Sequence, residues 1–475
     1  MSVGKGPNSA EQDSAITFDL PIPYTLLAKK QLSERNDVRQ AYWYPHPAEA
    51  TPVVIIQLED SMGRTNVLIR KDTFLDLTRL CELVGRNFQA RQVLNAHPSK
   101  PSESLNILPF PNTKSESPTA LIIDHRVIET DKLLVATDHP DFDLIIETQD
   151  LISGLGGSVT MNVSEPIHPH DPNNQTIIAL DKHILSAVHR FTALRIKQRL
   201  EETLEIPPFP ETARRLIELR LDPDASVADL AEIVETDPSL AAQVVFWASS
   251  SYYSAAGSVK SVHDAVVRVL GFDLVMNLAL GLSMGKALNI PKDCIAPYWE
   301  QSVFAATLAQ ALAQSMEPLN RPHVGLSYLA GLLHNFGYLL MAHIFPPHFS
   351  QINRFIECNP HAPHSVIEHY LVGITREQLS ARLFAGWNLP HEVVHAIQWQ
   401  NTRVYRGEHM NYARLLYITN QFLRLFQISN DPLDALDKRV FVPLGLTYEQ
   451  TEKVAAVLLG RKEELRRLAQ QLNKA

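Results

Sequence analysis

The chain has 475 residues, 45% hydrophobic and 20% charged, which excludes a disordered protein, and a prior of roughly 100–200 residues per domain predicts two to four domains. A net charge of −9 speaks against a protein that coats nucleic acid by bulk charge, while leaving room for a local basic patch. Cys81, Cys294 and Cys358 are scattered without CxxC spacing, so reduced thiols are expected and neither a disulfide framework nor a thiolate zinc site is.

The opening "MSVGKGPNSAEQDS" carries no apolar core, so no signal peptide is expected. No run reaches about 18 uninterrupted apolar residues, so no membrane partner is expected either, and the expected compartment is the cytoplasm. "PVVIIQLED" and "TNVLIRK", separated by "SMGR", predict a β-hairpin. "DTFLDLTRLCELVG" (72–85) predicts a helix with an Asp at its start and a Gly at its end. "ALIIDHRVI" and "KLLVATD" predict a second strand pair, and "DLIIETQDLI" a strand running into a helix. The Pro-rich tract "HPSKPSESLNILPFPN" predicts a loop.

Gly, Ser, Pro and Asn dominate residues 156–178, which predicts a linker, and the "HPHDP" within it reads as solvated rather than metal-binding. An amphipathic connecting helix is expected over 179–205. From Ile206 onward the expected structure is all helical. Ser226 with Asp229 predicts a capping box, Asp237 and Pro238 an N-cap and first helical residue, Ser261 a helix start, Gly271 a stop, and Pro390 another start. Helices over 411–475 close the chain.

"IPPFPETARRLIELRLDPDASVADLAEIVETDPSLAAQVVFWASSSYY", then "SVHDAVVRVLGFDLVMNLAL", "AGLLHNFGYLL" and "GWNLPHEVVHAI", resemble in order the blocks of the HDOD domain. This family is a relative of the HD phosphohydrolases, and the resemblance implies a helical bundle of bacterial signalling proteins, generally without catalysis. A catalytic HD site needs several His and Asp ligands to hold divalent metal and activate water. Here His334 is followed by the neutral Asn335. Gln301, in "WEQS", stands where related sequences often keep a His, and Arg376, in "TREQLSARLFAGWNLP", stands at another such position. An arginine at a ligand position repels a cation. The plain alternative for His334 is a buried helical residue bonded to a neighbour.

"HNFGYLL" is not accompanied by the His-His-Glu and Gly-Tyr-Pro block of cyclic-dinucleotide hydrolases. "HEVVH" (His391, His395) matches HExxH formally, but no third ligand follows at a recognised spacing, so a surface or core histidine pair is expected.

The order of elements along the N-terminal half, from "VVIIQLED" through "LNILPFPN" to "DLIIETQDL", resembles the YbaK/prolyl-tRNA-synthetase-associated editing domain, a family that hydrolyses mischarged aminoacyl-tRNA. The lysine that the family places on its first strand is missing from "TPVVII". Glycines that would admit the tRNA's terminal adenosine are missing around "LNILPFP" and "VATDHPDFD".

The expected architecture is therefore a YbaK-like α/β module over 20–155, a linker over 156–178, a connecting helix over 179–205, an all-α HDOD domain over 206–410 and C-terminal helices over 411–475. The expected function is non-catalytic signal transduction, with the HDOD module binding a protein partner or small ligand and the α/β module sensing a nucleotide, an amino acid or a tRNA end. No cofactor, metal or catalytic residue is expected, and Gln301, His334, Asn335 and Arg376 are read as vestigial HD-site positions. The alternatives are an aminoacyl-tRNA deacylase using a lysine such as Lys71 or Lys132 and, less favoured, a metal-dependent phosphohydrolase.

Overall fold

In a computed structural model of the protein the described residues are 25–28, 50–91, 120–136, 142–154, 158–167, 209–253, 258–286, 288, 292–433 and 438–472. The loop expected at 97–112, the "HPHDP" tract and the connecting helix of 179–205 lie outside them. The chain divides between Ser164 and Glu165 into two compact units, with the strand Ser164–Pro166 lying on the boundary.

The first unit is built on a mixed sheet. Its strands are β1 (Thr25–Ala28), β2 (Thr51–Asp60), β3 (Gly63–Arg70), β4 (Thr73–Leu75), β5 (Gln89–Ala90), β6 (Ala120–Asp124), β7 (Lys132–Val135), β8 (Phe142–Glu147), β9 (Val159–Met161) and β10 (Ser164–Pro166). The order is β1-β8-β7-β2-β3-β6-β9, with β5 on β2 and a separate β4–β10 ladder. β2 and β3 form the expected hairpin, turning between Asp60 and Gly63. Asp60 holds the turn by accepting from the Met62 and Gly63 amides at 2.8 and 3.1 Å, and Arg86 Nε donates to its other oxygen at 2.7 Å.

Three expectations need correction. β6 and β7 do not pair with each other: β7 runs parallel to β2 and β6 parallel to β3, on opposite sides of the hairpin. Their apolar runs are buried, and the central hairpin offers each an edge that satisfies its backbone. The helix expected from Asp72 begins later. Thr73–Leu75 are buried as β4, and helix α1 (Leu77–Val84) is capped by Asp76, whose side chain accepts from the Arg79 amide, and ends at left-handed Gly85.

The third correction concerns the linker, because residues within 156–178 form β9, which adds in parallel to β6, and β10. The cause is Asp124, which is fully buried at the start of the short helix α2 (His125–Ile128). One carboxylate oxygen accepts from the Val163 and Ser164 amides, both at 2.9 Å, and the other from the Arg126 amide at 3.0 Å. Asp124→Ala strands these amides, and a loss of about 3 kcal/mol in unfolding free energy is expected by urea titration. Helix α3 (Thr148–Gly154) follows β8 directly, and its Leu151 joins Leu68, Ile123, Leu133 and Leu144 in the core of this unit.

The second unit contains no strand among its described residues beyond 208. Its helices begin with α4 (Glu211–Leu221), α5 (Val227–Glu235), α6 (Pro238–Ser249) and α7 (Val262–Ala265), which runs into a π-helical turn over Val266–Leu270. Then come α8 (Phe272–Gly285), α9 (Lys292–Ser315), α10 (Val324–Leu333), α11 (Phe336–Ile344), α12 (Pro346–Cys358) and α13 (His364–Val372). The last are α14 (Arg376–Gly386), α15 (His391–Gln398), α16 (Met410–Leu425), α17 (Tyr448–Gly460) and α18 (Lys462–Leu472).

The caps follow local chemistry. Ser226 and Asp229 form the capping box of α5, and Asp237 caps α6 with Pro238 in its first turn. One large core joins α4 through α15 with Leu465 and Leu468 of α18. A second joins Leu308 and Leu312 of α9 to Phe422 of α16 and Leu458 of α17. The stretch Val324–Ile344 is long and apolar enough to cross a membrane, but 83% of an apolar 18-residue window within it is buried, as an interior helix pair requires.

Candidate functional site

The site forms where α10 breaks into α11. His334 caps the end of α10 and Asn335 opens α11. Two glycines bring the surrounding backbone in. A Cβ at Gly331 would lie 2.6 Å from the Ala305 carbonyl oxygen of α9, and one at Gly337 would lie 2.0 Å from the Arg376 carbonyl oxygen of α14. "GLLHNFG" therefore lets α9 and α14 converge on the junction, and Gln301 of α9 and Arg376 of α14 arrive with them.

Asn335 bridges these two side chains. Its Nδ2 donates to Gln301 Oε1 at 3.2 Å, and its Oδ1 accepts from Arg376 Nη1 at 3.1 Å. Arg376 is anchored by Glu368 of α13. Its amide donates to Glu368 Oε2 at 2.9 Å, its Nε and Nη2 contact Glu368 Oε1, and its guanidinium lies 5.4 Å from the Tyr338 ring centroid. Glu368 is fully buried and Arg376 nearly so. Burial pushes the Glu368 carboxyl up, and the guanidinium pulls it back. Burial also works against the charge on Arg376, but Glu368 and then Glu377 override it and hold the guanidinium protonated.

His334 is turned toward its own helix. Its Nδ1 lies 2.8 Å from the Gly331 carbonyl oxygen, so this nitrogen is assigned the proton and donates. Burial pushes the imidazole down to about 4, the Gly331 bond opposes this, and Arg376 and Arg424 add to it. The ring is thus neutral at pH 7. The His334 carbonyl accepts from Gln400 Nε2 at 2.8 Å, and Gln400 Oε1 accepts from Asn420 Nδ2 at 2.8 Å.

A second polar branch lies within electrostatic reach of Arg376. Arg424 contacts Asp431 and donates to Asn401 Oδ1 at 3.0 Å, and Asn401 donates to Glu377 at 2.9 Å. Asp431 accepts from the His364 amide at 3.0 Å. Burial pushes the His364 imidazole down to about 4 against the pull of Asp431.

The structure thus brings together Gln301, Asn335 and Arg376, with His334 beside them. The inward polar atoms are already occupied by a guanidinium that carries its own carboxylate. This arrangement binds an internal cation and offers no anionic ligand at Asn335 to a divalent metal. Glu368 was not legible in the sequence. It sits eight residues before Arg376 on a separate helix, and its only signal is a carboxylate within an apolar helix.

The "HEVVH" histidines stand on α15, with Glu392 in its first turn. His395 meets His409, the two ring centroids standing 5.3 Å apart. Among the described residues, the group able to hold a metal is His395, Glu408 and His409, with candidate ligand atoms within 4.8 Å of one another. In the first unit Lys132 pairs with Glu147 across β7–β8 at 3.3 Å, and Lys71 lies just past the end of β3.

Residues 206–403 match the family model of the HDOD domain. A crystal structure of a protein from Marinobacter aquaeolei VT8, whose given name proposes signal transduction, is 40% identical with a TM-score of 0.78. The match covers 89% of this chain and 94% of that one, more than the helical unit alone supplies. An HDOD domain protein with unknown function from Geobacter sulfurreducens is 21% identical over 62% of this chain and 99% of its own, with a TM-score of 0.49. An uncharacterized protein from Treponema pallidum (strain Nichols) is 23% identical over 209 residues, 44% of this chain. The chain matches 39% of the length of that curated relative.

Proposed function

We infer a regulatory function from one premise: the chain belongs to the HDOD-domain family. In this reading it is a bacterial signal-transduction protein of the cytoplasm whose helical unit binds a protein partner or a small ligand. Gln301, His334, Asn335 and Arg376 are the vestigial positions of an HD metal site. The observation that carries the reading is the buried Arg376–Glu368 pair bonded to Asn335. A fixed guanidinium there supplies positive charge and structural order but cannot activate a water as a metal does. Support for signalling also comes from the name of the Marinobacter relative, which spans both units.

For the α/β unit we propose a sensing role toward a nucleotide, an amino acid or a tRNA end, on a YbaK-like scaffold. The ion pair of Lys132 with Glu147 weighs against Lys132 as the lysine of an aminoacyl-tRNA deacylase.

The test has two arms. Cross-linking of the tagged chain in its own cells, followed by mass spectrometry, is expected to give reproducible cross-links from residues 206–403 to a small set of proteins, or a saturable small ligand retained by that unit. Purified chain with manganese is expected to leave bis(p-nitrophenyl) phosphate intact. Turnover that disappears in His334→Ala would refute the reading.

A further inference from the structure

We propose that His395, Glu408 and His409 form a surface site for a divalent transition-metal ion of the zinc type. It is separate from the buried Arg376 network. The formal HExxH match supplies only one of its ligands, His395, because the second imidazole comes from the loop before α16 rather than from His391. Glu408 and His409 are consecutive, and candidate ligand atoms on all three side chains lie within 4.8 Å of one another. Two imidazoles and a carboxylate are the nitrogen and oxygen donors that zinc takes, with water left to complete four-coordination. Ligand atoms in such a site stand about 3.3 Å apart, given bonds of about 2.0–2.1 Å. The observed spread therefore closes by side-chain rotation, which exposed Glu408 and half-buried His395 and His409 can make.

One further feature fits the same assignment. His395 Nδ1 lies 3.4 Å from the Glu408 backbone carbonyl oxygen. A proton on Nδ1 donated to that carbonyl fixes the tautomer and leaves Nε2 bare for a metal, the usual outer-shell arrangement of a ligating histidine. His409 holds a left-handed backbone, φ 53°, which turns the chain into α16. Asn accepts that conformation while being a poor zinc ligand, so His409→Asn tests ligation without straining the turn.

The experiment is isothermal titration of the full chain with zinc at pH 7.5, alongside His395→Gln, Glu408→Gln, His409→Asn and, as a control, His334→Gln. The expected result is about one zinc per chain, with binding weakened roughly tenfold or more in each of the first three variants and unchanged in the control. Cobalt substitution is expected to give visible bands without a thiolate charge-transfer band, which separates this site from cysteine binding. Absence of stoichiometric zinc binding, or binding that survives both His395→Gln and His409→Asn, would overturn the assignment.

Discussion

Glu368→Ala is expected to lower the unfolding free energy of the helical unit by about 3–5 kcal/mol, the usual cost of leaving one partner of a buried ion pair unmatched. The Glu368 side chain is 0% exposed and that of Arg376 11%, so the carboxylate has no water to fall back on and the guanidinium little. Without the carboxylate, the Arg376 amide and Nε lose their acceptor together, and the guanidinium keeps Asn335, the Tyr338 ring and the more distant charges of Glu377 and Asp431. Urea unfolding followed by tryptophan fluorescence measures this, because Trp247, Trp299, Trp387 and Trp399 all lie in the helical unit. The double variant Glu368→Leu with Arg376→Met is expected to recover most of the loss, since an apolar pair of similar volume strands no charge. An unchanged midpoint in Glu368→Ala would mean that the pair does not hold this region together.

Acid is expected to destabilise the wild type through its buried histidines. His334 has an ordinary value of 6.5 when unfolded and about 4 when folded, so it binds its proton more readily in the unfolded chain. Its contribution to stability is fully present above pH 6.5 and is lost as pH falls through 4. The shift corresponds to roughly 3 kcal/mol over that window. His364, depressed to about 4 by burial, acts in the same direction. Glu368, pushed up by burial, acts in the opposite one, while His395, lowered by burial, and Asp431, lowered by Arg424 against its burial, act with the two histidines. Substituting one histidine isolates its share. His334→Gln is expected to be less stable than wild type at pH 7 and to lose roughly 3 kcal/mol less between pH 6.5 and 4. Parallel pH profiles for the two proteins would show that His334 is not held neutral.

How much of this could be read in advance depends on how local the chemistry is. The caps at Ser226, Asp237 and Ser261 are legible because each is settled by a side chain bonding an amide two or three residues away. The β2–β3 hairpin is legible for the same reason. The pairing of β6 with β3 and of β7 with β2 is not, because apolar runs announce a strand without naming its neighbour. Composition misleads at β9 and β10: the tract is rich in turn formers, but its Val163 and Ser164 amides are claimed by a carboxylate far back in the chain.

The site divides in the same way. Gln301, Asn335 and Arg376 could be grouped through the family resemblance, but Glu368, which fixes the arginine, matches no motif. His409 was missed as the companion of His395 because the two meet through a loop rather than along a helix.

The most direct test of the central claim, that an internal arginine stands where a metal would be held, is isothermal titration with manganese and zinc. It is run on wild type, His334→Ala and His409→Asn. The expected result is that no metal binding depends on His334, and that any zinc bound by wild type is retained in His334→Ala and weakened in His409→Asn. A tightly bound metal that disappears in His334→Ala and persists in His409→Asn would contradict the claim and make Asn335 a ligand in a working metal centre.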